Sequence, residues 1–115
     1  MTFEKIQSSA LDYLKIQTGA LDYLNDTITF YYLPKEKLLS DDGYTFYEAR
    51  THNFQNNQNI EALAKQCCER FFCQFDETNK EFIYQLNDEK EKQDGIDRLI
   101  QAITMFEILF YQEKY

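Results

Sequence analysis

Lys5-Ile6-Gln7-Ser8-Ser9-Ala10-Leu11-Asp12-Tyr13-Leu14 is followed at once by Lys15-Ile16-Gln17-Thr18-Gly19-Ala20-Leu21-Asp22-Tyr23-Leu24, with eight of ten positions identical. Whatever this chain folds into must find two places for nearly the same string. So close a match is a recent tandem duplication, and two units of this length fall short of the three or more units of about 20 residues that a solenoid needs. Read locally, both copies look helical. Phe3, Ile6, Ala10 and Leu14 recur at three- and four-residue spacing, and Thr2 stands ready as an N-cap. Ten residues at roughly 100° each come to about 1000°, about 80° short of three turns, so equivalent residues cannot share one face of a straight helix. The copies therefore need different roles, in a helix buried over a wide arc or one bent at Thr18-Gly19, where helix propensity is lowest.

Only three Gly and one Pro interrupt the chain, which points to long elements rather than a loop-rich sandwich. The reading is an α+β fold. It has an N-terminal helix, antiparallel strands at about 27–33 and 44–50, a third strand at 81–86 in preference to a short helix, and helices at about 59–73 and 94–113. The alternative is an all-α bundle, in which the first helix runs on to Leu33 because Leu21, Leu24, Ile28 and Tyr31 or Tyr32 also fit a helical stripe. Asn53 to Asn59 reads as a polar connection, with Asn59 as the cap of the helix that follows.

A length of 115 residues suits one domain, and 43% hydrophobic residues with ten Phe and nine Tyr exclude a disordered chain. No stretch approaches the roughly 20 apolar residues that span a bilayer, and the N-terminus lacks a secretory core, so the expected location is cytoplasmic. Cys67, Cys68 and Cys73 crowd into seven residues, a poor disulfide framework, and reduced thiols are the simpler reading. A net charge of −8 and a pI near 4.6 set the chain against direct binding to nucleic acid and favour encounter with a basic protein surface.

Chemistry is sparse. His52 is the sole histidine, in Arg50-Thr51-His52-Asn53. It reads as a surface loop residue, and an acid/base role beside Arg50 lacks a second titratable partner. Adjacent Cys67-Cys68 with Cys73 five residues on gives neither a Cys-x-x-Cys knuckle nor a fourth ligand. No phosphate loop, nucleophile elbow, zinc-protease or calcium motif occurs. No catalytic residue, metal or cofactor is therefore assigned, and Asp41-Asp42 and Asp76-Glu77 read as turn residues.

Charge placement is what remains. Asp76, Glu77, Glu81, Asp88, Glu89, Glu91, Asp94 and Asp97 stand against Lys80, Lys90 and Lys92, a local balance of −5. A solvated surface explains such a run. The functional reading makes these eight acids the face that docks on a basic partner, with Tyr44 and Tyr47 as aromatic anchors. The expected function is a non-enzymatic, stoichiometric inhibitor that masks a basic nuclease or nucleic-acid-binding surface, in the manner of immunity, anti-defence or DNA-mimic proteins. The alternative is an interaction module that self-associates or docks through its apolar helices. Oligomeric state is left open.

Overall fold

A computed structural model describes residues 2–7, 12–52 and 59–112. In chain order they form β1 (Thr2–Gln7), β2 (Asp12–Leu21), β3 (Thr27–Leu33), β4 (Leu38–Ser40), α1 (Tyr44–Thr51), α2 (Ile60–Arg70), β5 (Gln74–Asp76), β6 (Glu81–Gln85) and α3 (Lys92–Gln112), with a short 3-10 turn at Glu89–Glu91 ahead of α3. The strands make one antiparallel sheet in the order β1-β2-β3-β4-β6-β5. The α+β class holds, and the all-α alternative fails at Thr27–Leu33, which is a strand. The strand expected at 81–86 and the helices expected at 59–73 and 94–113 are β6, α2 and α3. The connection at 53–58 and residue 113 lie outside the described residues.

Two expected elements are corrected. The N-terminal helix is instead β1 and β2. β2 is paired on both sides, Ile16 standing opposite Phe3 of β1 and opposite Phe30 of β3. A helix would satisfy the backbone locally. The sheet satisfies it through two neighbours and also places Ile16 fully inside the core, so tertiary pairing overrides local propensity. Gly19, the weakest point of the supposed helix, takes φ +83 in a bulge between Gln17 and Leu21. There the Thr18 hydroxyl donates to the Ile28 carbonyl (2.8 Å) and accepts the Ala20 N–H (3.1 Å).

The second correction concerns 44–50, expected as a strand and found as helix α1. Its inward residues Thr45, Phe46 and Ala49 follow helical spacing. Asp41 starts it, its carboxylate accepting the N–H groups of Gly43 (2.9 Å) and Thr45 (3.2 Å), donors that the first turn of a helix otherwise leaves unpaired.

The helices cover the sheet face that carries Ile16, Phe30, Leu39, Phe82 and Phe75. α3 is the central packing element, burying Ile96, Leu99, Ile103, Phe106 and Phe110. Its axis runs so close to the sheet that a Cβ on Gly95 would stand 2.6 Å from the Tyr84 ring and 2.9 Å from Leu39. α2 adds Ala64, Cys67 and Cys68 to the same core.

β4 stops after three residues. Its partners on β3 are Tyr31, Tyr32 and Leu33, and beyond Ser40 the chain bends toward β6. There the Asp41 N–H donates to the Phe82 carbonyl (3.1 Å) and the Asp41 carboxylate accepts the Phe82 N–H (3.0 Å). Among the described residues, the first half of β3 consequently has β2 on one side and no strand on the other.

Candidate functional site

Where β4 ends, a cleft of about 480 Å³ opens between β3 and α1. Asp22 and Asp26 stand at one end of it, on the turn between β2 and β3. Asp41 and Asp42 stand at the start of α1, Tyr44 and Tyr47 on α1 itself, and Ile28 and Ile103 also line it. Lys15 is the one basic residue of the lining, so four carboxylates against one ammonium leave a formal balance of −3.

Local structure explains each position. The Asp22 carboxylate closes its turn by accepting the N–H groups of Leu24 (2.8 Å) and Asp26 (2.9 Å). Asp26 accepts the Tyr44 hydroxyl at 2.6 Å. That bond, helped by partial burial and the nearby carboxylates Glu48, Asp26 and Asp22, raises the Tyr44 pKa. Burial pushes Asp41 up to about 6, tempered by the hydrogen bonds it accepts from Thr45, Gly43 and Phe82. Asp42 is exposed and sits at φ 59.

Glu107 lies one helical turn beyond Ile103 on α3 and is only 4% exposed. It accepts the Tyr23 N–H at 3.2 Å, fixing the Asp22–Asp26 turn to α3. Burial raises it to about 7, with Asp22 and Asp41 adding to the rise and the Tyr23 bond opposing it. Tyr23 also stacks on Tyr111, ring centroids 4.8 Å apart.

The acids singled out from the sequence lie elsewhere and are taken up locally. Asp76 accepts the N–H groups of Thr78 (3.0 Å) and Asn79 (3.3 Å) in the β5–β6 turn, and Glu77 pairs with Lys65 at 3.3 Å. Glu81 accepts the Ser40 hydroxyl and Glu89 that of Tyr32. Asp88 accepts the Lys90 N–H (2.9 Å) and Glu91 the Asn87 N–H (3.1 Å). Asp94 pairs with Arg98 (2.7 Å), and Asp97 accepts from the Gln93 amide (3.0 Å). Asp76, Glu77 and Glu81 stand at one end of β6, and Asp88 to Asp97 follow its other end.

Tyr44 and Tyr47 both line the cleft. Three residues apart on a helix, they share the cleft wall and are 44% and 52% exposed; on the strand expected from the sequence they would have pointed to opposite faces. The residues missed were Asp22, Asp26, Asp41, Asp42 and Glu107. Asp22 was hidden inside the supposed helix, and Glu107 inside the apolar stripe of α3. The Asp41-Asp42-Gly43 turn signal was the one available pointer.

The other candidate chemistry is structural in setting. His52 closes the C-terminus of α1, its N–H reaching the carbonyls of Ala49 and Glu48 and its Nδ1 lying 2.8 Å from Glu48 O. Arg50 lies over the Phe46 ring. Cys67, Cys68 and Cys73 are buried free thiols. Burial pushes Cys67 up to about 11, and the hydrogen bond with Cys73 raises Cys68. Among the described residues no group of His, Cys, Asp and Glu is arranged to hold a metal, and no helix is long and apolar enough to cross a membrane.

A family model matches the chain over residues 18–105, a span that begins inside the second decapeptide copy and takes in every cleft residue named above except Lys15. No curated protein and no solved structure matches it. With most of its length so matched, the chain belongs to the family described as a domain of unknown function, DUF1828.

Proposed function

We propose that this chain is a non-enzymatic, cytoplasmic binding protein that masks a basic protein surface, such as that of a nuclease, by taking a basic side chain into the cleft between β3 and α1. The observation that carries this reading is the gathering of Asp22, Asp26, Asp41 and Asp42 in one cleft, where none of the four makes an ion pair among the described residues. Carboxylates gathered in a concave site with one lysine create a field that attracts a cation and is focused by the low-dielectric walls. Tyr44 and Tyr47 supply flat amphipathic surface of the kind that anchors protein interfaces. Three buried free thiols suit a reducing compartment.

The test is to isolate the partner from the native cell, purify it and titrate it against the chain at two salt concentrations. Binding is expected at one-to-one stoichiometry and to weaken with salt. Asp26→Asn with Asp42→Asn should weaken it by about tenfold or more, while Asp94→Asn with Asp97→Asn should change it by less than about threefold. A partner without a basic surface, salt-insensitive binding, or the reverse ranking of the two double variants overturns the reading.

A further inference from the structure

β3 carries an open backbone edge into the cleft. In an antiparallel ladder the N–H and C=O of one residue point to the same neighbouring strand, and the side alternates along the chain. The Ile28 carbonyl faces β2, where it accepts the Thr18 hydroxyl, so Thr27 and Thr29 face the other way. On that side β4 reaches no further than Tyr31. The Thr27 carbonyl is met by the Thr29 hydroxyl at 3.3 Å. Thr29 stands opposite Gln17 in the β2 register, but on this alternation its backbone N–H and C=O point to the side that β4 leaves open, and Thr29 lines the cleft.

An unpaired strand edge is a template for another chain. We infer that the cleft is a strand acceptor: an extended segment of the basic partner pairs with β3 at Thr27–Thr29, in line with β4, and presents its basic side chains to Asp26 and Asp42. The inference rests on the cleft being the site for a basic side chain and adds how the partner is held. Asp42 stands where the line of β4 stops and Asp26 where β3 begins. The slot between them suits about three or four residues at roughly 3.4 Å each. Its two ends are acidic, its exposed wall is the face of Tyr44 and Tyr47, and its sheet side offers the Thr29 donor and acceptor. Backbone pairing then supplies affinity for any extended segment, and the flanking carboxylates select a basic one.

The probe is the blocked pentapeptide acetyl-Arg-Thr-Arg-Thr-Arg-amide, made also in two N-methylated forms, one methylated at both threonines and one at the outer arginines. Strand pairing uses alternate N–H groups, so one methylated form should bind about tenfold more weakly than the other, the cost of a lost hydrogen bond. The Thr29 amide should exchange more slowly with solvent when the unmodified peptide is bound. Thr29→Pro removes the donor on the open side without breaking a ladder bond, and should weaken the peptide by about tenfold while leaving the melting temperature within a few degrees. Equal affinity of the two methylated forms, with binding still weakened by salt, overturns strand addition and leaves the acidic site standing. No binding of the unmodified peptide at about 1 mM overturns both.

Discussion

Deleting residues 5–14 and deleting residues 15–24 give two shortened chains that differ at only two positions, Thr18-Gly19 in the first and Ser8-Ser9 in the second. Each deletion sacrifices β1 and leaves a Lys-Ile-Gln segment to pair with Tyr31, Phe30 and Thr29 of β3. The difference between them is therefore confined to the bulge. A serine keeps the hydroxyl that serves Ile28 and Ala20, so replacing Thr18 costs little. Gly19 stands at φ +83 with nothing within 4 Å of where a Cβ would be, so a serine there meets no clash but carries the backbone penalty of the left-handed region. That penalty is about 1–2 kcal/mol, equivalent to a fall of roughly 4–16 °C in melting temperature for a domain of this size. Urea unfolding of both proteins, with Gly19→Ser in the full-length chain as a control, measures it directly. The expectation is that both fold, that the 15–24 deletion is the weaker by about 1–2 kcal/mol, and that the control loses a similar amount. Equal stability of the two deletions refutes the role given to Gly19. Failure of both to fold refutes the view that β1 is an addition to a self-sufficient sheet.

Three further outcomes follow from the packing. Asp41 (3.8 to about 6) and Glu107 (4.5 to about 7) both have raised pKa values in the folded state, so their contribution is fully present below the unfolded values and is lost as pH rises through about 6 and 7. Thermal melts should show a more stable protein at pH 5 than at pH 8, by no more than about 3 kcal/mol for each group. Glu107→Gln should flatten the curve, and a wild-type protein that gains stability over that rise would contradict the assignment. Gly95→Ala drives a methyl into Tyr84 and Leu39 and should cost about 1–3 kcal/mol in urea unfolding; a neutral result would mean that α3 can lift from the sheet without penalty. Phe72 sits at φ 62 with 72% of its surface exposed, and Phe72→Gly should be stabilising by about 0.5–1 kcal/mol despite losing the Arg98 contact. A clear loss of stability there would show that the Phe72 ring holds more than its exposure suggests.

Periodicity made part of this fold legible. Thr27–Leu33 alternates inward Ile28, Phe30 and Tyr32 with outward residues, and α3 shows an apolar arc too broad for a surface helix. β2 was illegible because Ile16 is its one buried apolar residue, leaving no alternation to outweigh helix-forming neighbours. α1 carried a usable signal in Phe46 and Ala49 at helical spacing behind a capping Asp41, but its Thr and aromatic content pointed to a strand. The site suffered from both errors. Tyr44 and Tyr47 were chosen for residue type alone and share a wall because the segment is a helix. The acids beside them come from two separate places in the chain, the β2–β3 turn and the start of α1, a convergence that spacing along the sequence does not encode.

The duplicated decapeptide has a genealogical meaning. Lys5-Ile6-Gln7 ends the outermost strand while Lys15-Ile16-Gln17 lies between two strands, and Asp12-Tyr13-Leu14 is extended while Asp22-Tyr23-Leu24 turns the chain. One copying event thus widened the sheet by a strand, from its margin, without asking the new residues to fit any existing socket. Sheets can accrete in this way because the margin demands only backbone partners. Kindred chains that lack the duplication should then possess the same cleft behind a sheet that is one strand narrower.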